Sequence, residues 1–87
     1  MNEKLFSYFS ENNWEVSNYN KAAIKVFKFK DFKSAFSWMT FLAFVSESQD
    51  HHPEWKNVYN KVEVILTTHD LGRLSERDIN LAKEMDK

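Results

Sequence analysis

The sequence predicts an α+β fold in which a four-stranded antiparallel sheet carries helices packed on one face, in the order α-β-β-α-β-β-α. Three observations support this prediction. Two strand-like segments are each divided by a polar turn, a long apolar helix separates them, and a helix-capping motif follows the second. The chain has 87 residues, so we expect a single domain over residues 1–87.

The first part of the chain predicts a helix followed by a hairpin. Residues 3–11 have apolar side chains at helical spacing. Residues 14–19 and 22–29 are predicted strands around a polar turn at residues 18–21. The predicted helix presents Leu5, Phe6 and Phe9 on one face. The second strand could bury either of its two faces. One face carries Ile24 and Val26, and the other carries Phe27 and Phe29.

A long helix is predicted from Asp31 to about Ser46, with Asp31 as N-cap because its carboxylate can accept backbone N–H groups of the first turn. The helix has two apolar stripes, more than packing on one sheet requires. Either the core wraps around the helix or a second subunit covers it, and we favour the subunit because large apolar patches are rare on monomers. The stripes are Phe32, Ala35, Phe36, Met39 and Ala43, and Trp38, Phe41, Leu42 and Val45.

The second half predicts another hairpin and a last helix. Residues 55–58 and 61–68 are predicted strands about the turn at Tyr59 and Asn60. Ser75 and Asp78 have the spacing of a capping box, which indicates that a helix begins there. The four strands and three helices of the fold are then complete.

The composition excludes several classes of protein. The chain has no Cys, which excludes a disulfide framework and a thiolate zinc site. It has no long apolar run and no N-terminal signal pattern, so we expect a cytoplasmic protein without a membrane interaction. A net charge of -1 argues against direct nucleic-acid binding, and we interpret the five lysines between residues 21 and 33 as a solvated face.

All three histidines belong to one pattern. His51 and His52 follow the long helix in a predicted loop, and His69 stands at the end of a strand. Histidine exchanges protons near neutral pH, and neighbouring carboxylates can fix which ring nitrogen carries the proton. If the loop and the strand end meet, they form a site for general acid/base chemistry. The carboxylates that could orient the imidazoles are Glu47, Asp50, Asp70 and Asp78.

Other interpretations of these residues compete with a catalytic one. A lone loop histidine is more often a surface or structural residue, Asp78 is also a helix cap, and Trp55 could simply belong to the core. A Zn²⁺ or Fe²⁺ site is the rival chemistry, although adjacent histidine side chains tend to diverge. No Ser or Cys lies beside the histidine pair, and the single glycine cannot form a phosphate loop, which disfavours acyl transfer and nucleotide chemistry.

At these residues the chain resembles the pterin-4a-carbinolamine dehydratase family. The family pattern is an acidic residue, three positions, His-His-Pro, an aromatic residue, a later His and a final Asp. Residues 50–62 and 74–82 match it in long runs, and the resemblance continues upstream to residue 14. The family's Gly before Trp14 is Asn13 here, a residue that enters left-handed conformations readily. The matching positions are Glu47, His51, His52, Pro53, Tyr59, His69 and Asp78.

The resemblance implies an activity and its residues. A 4a-hydroxytetrahydropterin would be dehydrated to quinonoid dihydropterin, in recycling the cofactor of aromatic amino acid hydroxylases, with no metal or organic cofactor. His51 and His69 would donate and accept protons, and His52 would position the pterin and share that work. Glu47 and Asp78 would orient imidazoles, and Trp55 would form a wall. The residues implied to line the pterin ring are Asp50, Thr67, Thr68 and Asp70.

The resemblance also implies partners. The pterin is the expected substrate, and the chain would form a homodimer or homotetramer through sheet edges and helix faces. Some animal relatives also act as transcriptional coactivators, so a non-enzymatic protein-binding module is the alternative function. That alternative predicts that Trp38, Phe41 and Val45 matter while His51 and His69 do not.

Overall fold

Three helices and four strands follow one another in the predicted order in a computed structural model, which describes residues 3–87, with side chains from residue 7 onward. The predicted orientation of Leu5 and Phe6 therefore lies outside the described side chains. A short 3₁₀ turn, Asn18–Asn20, joins the first two strands. The elements are α1 (Glu3–Glu11), β1 (Glu15–Val16), β2 (Ala23–Lys28), α2 (Phe32–Gln49), β3 (Glu54–Val58), β4 (Lys61–Leu66) and α3 (Glu76–Met85).

The strands form one antiparallel sheet in the order β1-β2-β4-β3. The two longest strands, β2 and β4, pair at its centre, with Ala23 opposite Leu66 and Phe27 opposite Val62. On the other side of β4, Trp55 of β3 lies opposite Val64. The first hairpin therefore joins the second through β2 and β4, a pairing between distant parts of the chain.

Strand alternation separates a helix-covered face from an open one. Val62, Val64 and Leu66 of β4 are fully buried, so their face of the sheet carries the core. Their partners on β2 include Phe27, which settles the open choice in favour of Phe27 and Phe29. Val26 lies on the opposite face and is 51% exposed.

The core lies between this sheet face and the helices. Each fully buried Val, Leu or Phe side chain contributes roughly 1.5–3 kcal/mol relative to an exposed one. Within residues 3–87, no helix combines the length and the apolar character that crossing a membrane requires. The largest apolar side chains of the core outside the sheet are Phe9 and Trp14, Leu42 of α2, and Leu74, Ile79, Leu81 and Met85 near or within α3.

Helix α2 begins as predicted and ends three residues later than predicted. The Asp31 side chain accepts the Ser34 backbone N–H at 2.8 Å, as an N-cap does. No helix-breaking residue lies between Ser46 and Gln49, and the helix stops only where Asp50 takes a left-handed conformation, with φ 52° and ψ 42°. Glu47 therefore belongs to the last turn of α2.

The surface of α2 exposes four phenylalanines. Phe32 is 48% exposed, Phe36 54%, Phe41 57% and Phe44 74%. Ala35 and Leu42 are buried, whereas Trp38, Met39 and Val45 are partly buried against the core. The buried face of α2 runs between the two predicted stripes. Each stripe therefore has some side chains in the core and others on the surface.

The loops shorten the predicted strands. Strand β1 has only two residues, since Trp14 turns into the core and the 3₁₀ turn begins at Asn18. Asn13 takes φ 66°, so the residue before Trp14 is left-handed, a conformation that Asn enters readily. Strand β4 stops at Leu66, and beyond it the Thr68 N–H bonds the Arg73 carbonyl at 3.2 Å. Thr67 and Thr68 therefore lie in the connection to α3.

Candidate active site

A cavity of about 220 Å³ opens at the edge of the sheet where α2 and β4 both end. It brings together the histidine loop and the segment after β4, which are separated along the chain by β3 and β4. The three histidines of the sequence meet here, together with two of the carboxylates predicted to accompany them. The lining residues are Asp50, His51, His52, Thr67, His69, Asp70 and Arg77.

The end of α2 positions the histidine pair. Asp50 adopts the left-handed C-cap conformation, and its N–H bonds the carbonyls of Ser46 and Glu47. The chain then turns back so that the His51 N–H also bonds the Ser46 carbonyl, at 3.1 Å. As a result His51 is only 7% exposed, whereas the neighbouring His52 is an exposed residue.

His51 contacts a fully buried carboxylate. Its Nε2 lies 2.6 Å from Oδ1 of Asp78, which has no exposed surface. The other oxygen, Oδ2, accepts the Thr68 hydroxyl at 2.7 Å and the Ser75 N–H at 3.0 Å. As a carboxylate, Asp78 can only accept hydrogen bonds. We therefore assign the proton of this contact to Nε2 of His51, which leaves Nδ1 available to a substrate.

A directed chain of hydrogen bonds ends on Asp78. The Arg77 N–H donates to Ser75 Oγ at 3.2 Å, and Ser75 Oγ lies 2.6 Å from Thr68 Oγ1. Since Thr68 donates its only proton to Asp78, the Ser75 hydroxyl is the donor to Thr68. Ser75 and Asp78 also form the predicted capping box of α3, so Asp78 holds a helix start and an imidazole at the same time.

His52 and His69 contact exposed carboxylates. His52 Nε2 lies 2.8 Å from Oε1 of Glu47, on the last turn of α2. His69 Nε2 lies 3.0 Å from Oε2 of Glu54, the first residue of β3. Each imidazole thus contacts its own carboxylate through Nε2. Among the side chains of residues 7–87, no three from His, Cys, Asp or Glu are grouped so that they could hold one metal ion.

Arg77 and Asp70 form an ion pair at the cavity. Nη1 of Arg77 lies 3.1 Å from Oδ1 of Asp70, and Nη2 lies 3.1 Å from Oδ2. This is a bidentate arrangement. The Arg77 hydrogen bonds lower the pKa of Asp70, with a smaller contribution from the charge of the guanidinium. Asp70 is therefore an anion at neutral pH, and Arg77 places a permanent cation beside the histidines.

The sequence analysis missed Glu54 and Arg77 as members of the site. Glu54 follows the His-His-Pro run directly, and Arg77 precedes Asp78, so both stood beside residues that were selected. The missing information was the pairing of β3 with β4. It places Glu54 opposite Ile65, four residues before His69.

Two residues predicted to contact the pterin lie elsewhere. Trp55 points to the helix-covered face, because its partner Val64 is buried there, and its ring centroid is 6.2 Å from that of Trp38. Thr68 is fully buried and directs its hydroxyl to Asp78. Thr67, in contrast, lines the cavity while its hydroxyl donates to the Lys21 carbonyl at 2.6 Å.

Comparisons with known proteins agree on one family. A family model described as pterin 4 alpha carbinolamine dehydratase matches residues 2–87. A relative from Jannaschia sp. (strain CCS1), named "Putative pterin-4-alpha-carbinolamine dehydratase", is 50% identical over 84 residues, which cover 97% of this chain and 86% of the relative. A relative of the same name from Dinoroseobacter shibae is 56% identical over 73 residues, covering 84% of this chain and 75% of the relative.

Two solved structures share the fold. The crystal structure of a transcriptional coactivator/pterin dehydratase from Brucella melitensis superposes with a TM-score of 0.89 at 38% identity, covering 99% of this chain and 94% of that chain. A pterin dehydratase-like protein identified as a RuBisCO assembly factor in the alpha-carboxysome superposes with a TM-score of 0.71 at 22% identity, covering 84% of both chains. At that identity the second likeness concerns the fold alone.

Proposed function

This chain belongs to the pterin-4a-carbinolamine dehydratase family, and from that premise we propose that it dehydrates a 4a-hydroxytetrahydropterin to quinonoid dihydropterin and water. One observation carries the proposal. Three imidazoles line one cavity, and Nε2 of each lies within 3.0 Å of a different carboxylate. Dehydration needs groups that move protons at two places on the substrate, and these imidazoles are suited to that task.

The proton balance of the reaction defines two roles. The bond between ring carbon 4a and its hydroxyl breaks, and an acid supplies the proton with which that hydroxyl leaves as water. A base removes the proton from a ring nitrogen, and the electron pair of that N–H bond forms the new double bond. One proton enters and one leaves, so the enzyme needs no oxidant or reductant. Each positioned acid or base typically contributes about 10²- to 10⁴-fold.

We assign these roles to His51 and His69. With Nε2 of His51 donating to Asp78, Nδ1 is an acceptor, and the imidazolium formed by proton uptake would face the Asp78 carboxylate. This arrangement suits His51 as the base. His69 is exposed and can regain a proton from water, which suits the acid. His52 would position the pterin and share the proton transfer.

The remaining family residues support these imidazoles in the proposal. Asp50, Thr67 and Asp70 would contact the pterin ring, since they line the cavity with the histidines. Glu47 and Asp78 would orient His52 and His51. Thr68 would act through Asp78, and Trp55 would support the wall from the core side. Thr68 is fully buried and Trp55 is partly buried against the core, positions that suit such indirect roles.

The test is a direct rate measurement. A 4a-hydroxytetrahydropterin is generated chemically, and its dehydration is followed by absorbance in buffer, with the protein plus a chelator, and with the His69→Ala variant. We expect acceleration that survives the chelator and falls by about 10²-fold or more in the variant. A wild-type rate equal to that in buffer would reject the dehydratase function.

A role in tetrahydrobiopterin recycling beside an aromatic amino acid hydroxylase, and a cytoplasmic location, remain predictions.

We also propose that the exposed face of α2 joins copies of this chain into a homodimer or homotetramer. Phe32, Phe36, Phe41 and Phe44 give one helix four largely exposed aromatic rings. Patches of this kind mark interaction sites more often than free surface. Phe44 is the most exposed of the four, so Phe44→Lys should shift the wild-type oligomer towards monomer in analytical ultracentrifugation. Val26→Lys, on the open face of the sheet, is the matched control. A monomeric wild type at micromolar concentration would contradict the proposal.

The same helix face supports the second candidate function, a protein-binding module without enzymatic activity. The Brucella melitensis relative is named both transcriptional coactivator and pterin dehydratase. The histidines distinguish the two functions, because a binding module does not depend on them. His51→Ala with assembly intact should abolish turnover in an enzyme, whereas an unchanged rate would favour the module.

A further inference from the structure

We infer that the loop between β1 and β2, residues 17–22, positions the turn that carries His69, residues 68–73, and that the Thr67 hydroxyl is a positioning group that binds this loop. The inference rests on the proposed dehydratase function and refines the role of Thr67 within it. The side chain of Thr67 lines the cavity, but its hydroxyl acts through the loop instead of donating to the pterin.

The position of His69 depends on the backbone of the His69 turn. Its side chain is 79% exposed, so contacts with neighbouring side chains hold the imidazole only weakly. The turn is closed by its own backbone, because the Thr68 N–H bonds the Arg73 carbonyl at 3.2 Å and the Gly72 N–H bonds the Thr68 carbonyl at 2.9 Å. These two bonds shape the turn, but they do not attach it to the rest of the fold.

Hydrogen bonds at both ends attach the His69 turn to the loop. Before the turn, the Thr67 hydroxyl donates to the Lys21 carbonyl at 2.6 Å. After it, the N–H of the fully buried Leu74 donates to the Asn20 carbonyl at 2.9 Å. The pairing of the start of β2 with the end of β4 places the loop at this point. Consecutive carbonyls of one loop therefore hold both ends of the turn.

The loop has a strained backbone that hydrogen bonds of Ser17 stabilise. Tyr19 and Asn20 are both left-handed, with φ 61° and 57°, a conformation that non-glycine residues adopt at a cost. Ser17 Oγ accepts the Ala22 N–H at 3.0 Å, and the Ser17 N–H donates to the Ala22 carbonyl at 2.8 Å. Removing the Ser17 hydroxyl should therefore loosen the loop without changing a residue of the cavity lining.

A positioning role and a direct substrate contact predict different kinetics. The single proton of the Thr67 hydroxyl is donated to the Lys21 carbonyl, so it is not available to the pterin. Loss of a contact that binds substrate and transition state equally raises KM, whereas a misplaced His69 lowers kcat. A displacement of about 1 Å at a reacting group can cost about 10²-fold in rate.

The experiment measures kcat and KM of loop and turn variants after subtraction of the buffer rate. We expect Thr67→Val to lower kcat by about 10-fold with little change in KM. The loss is moderate because the bond from Thr68 to Asp78 still holds the first end of the turn. Thr67→Ser keeps the donor and should stay within about 2-fold of the wild type.

A double-mutant cycle tests whether the Thr67 hydroxyl acts through the loop. Ser17→Ala should lower kcat by about 3-fold, and the double variant with Thr67→Val should lose no more than Thr67→Val alone, because both changes release the same loop. Ser10→Ala is the matched control and should keep the wild-type kcat, since it removes an exposed hydroxyl that bonds only its own helix, α1.

Two kinetic results would overturn the inference. One is a wild-type kcat in Thr67→Val, and the other is a wild-type kcat in Ser17→Ala. Nitrogen-15 relaxation of the substrate-free protein tests the attachment independently of turnover. The amides of residues 69–72 should have order parameters of about 0.85 in the wild type and in Thr67→Ser, and these should fall towards about 0.6 in Thr67→Val.

Equal order parameters in the three proteins would also overturn the inference. If the wild type does not accelerate dehydration, the proposed function fails, while the relaxation measurement still decides whether the loop orders the His69 turn.

Discussion

The contacts of His51 with Asp78 and of His69 with Glu54 differ in kind and in surroundings, because the first is a hydrogen bond of 2.6 Å and the second is a nitrogen–oxygen contact of 3.0 Å. The His51–Asp78 pair is buried, where few water molecules compete and each hydrogen bond is electrostatically strong. The His69–Glu54 pair is exposed and can separate at little cost. We therefore expect substitutions around Asp78 to affect folding and catalysis together, whereas substitutions of Glu54 should leave folding stability nearly unchanged.

The Thr68 hydroxyl should be important for stability because it donates to a carboxylate without access to water. Thr68→Val keeps the shape of the side chain and removes this donor, which should lower the free energy of unfolding by about 1–3 kcal/mol. Thr68→Ser keeps the hydroxyl and should lose less. Urea titrations of the three proteins measure the difference. Equal stability of the Val and Ser variants would show that the hydrogen bond to Asp78 contributes little.

Helix α2 contributes both to the stability of the fold and to the candidate active site. Its N-terminus is fixed by Asp31, its middle packs on the core, and its C-terminal turn supplies Glu47 and leads into His51. The N-cap residue Asp31 carries a charge whose effect on stability can be measured. The hydrogen bonds from the Ser34 backbone and side chain, with a smaller contribution from Lys33, lower the pKa of Asp31 from 3.8 to about 2.

The cap makes acid stability depend on the Asp31 charge. Because the folded pKa lies below the unfolded one, the contribution of the charge is present above pH 3.8 and is lost as the pH falls towards about 2. Asp31→Asn keeps a good capping oxygen but does not titrate. The thermal midpoint of the wild type should therefore fall more steeply between these pH values than that of the variant. Parallel curves would show that the Asp31 charge does not stabilise the fold.

Ser46 offers a substitution that should stabilise the contact between α2 and the core. It is 2% exposed, and its hydroxyl has no hydrogen-bond partner in the described part of the chain. Ala removes the unpaired group and is the better helix former. Ser46→Ala should raise the free energy of unfolding by about 1 kcal/mol in urea titrations. A loss of stability would show that the hydroxyl makes a favourable contact, for example with a buried water.

The elements that the sequence predicted well are those with local signals. Asp31 and the pair of Ser75 and Asp78 mark helix starts through residues only three positions apart, and both caps form. Features that depend on distant pairing were open or missed. The buried face of β2 followed only from its pairing with β4, and the contact of Glu54 with His69 only from the pairing of β3 with β4.

One carboxylate connects the N-terminal and C-terminal segments of the described chain. Asp86, just beyond α3, accepts the Tyr8 hydroxyl at 2.6 Å, Trp14 Nε1 at 2.8 Å and Lys25 Nζ at 2.7 Å. Lys25 also donates to the Asn12 carbonyl, and its Nζ lies 4.9 Å from the Phe27 ring centroid. The interpretation of the lysines as a solvated face is therefore wrong for Lys25. Strand alternation turns this side chain to the helix-covered face, where Asp86 neutralises it.

Tyr8 makes this cluster sensitive to alkaline pH. Burial, and next the hydrogen bond to Asp86, raise the pKa of Tyr8 above its usual 10.0. Since the folded state keeps this proton while the unfolded state loses it, the contribution to stability is present below pH 10.0 and is lost as the pH rises above it. The wild type should exceed Tyr8→Phe in urea midpoint at pH 8, and the gap should shrink towards pH 11. A gap that stays constant would mean that the Asp86 cluster does not hold the Tyr8 proton.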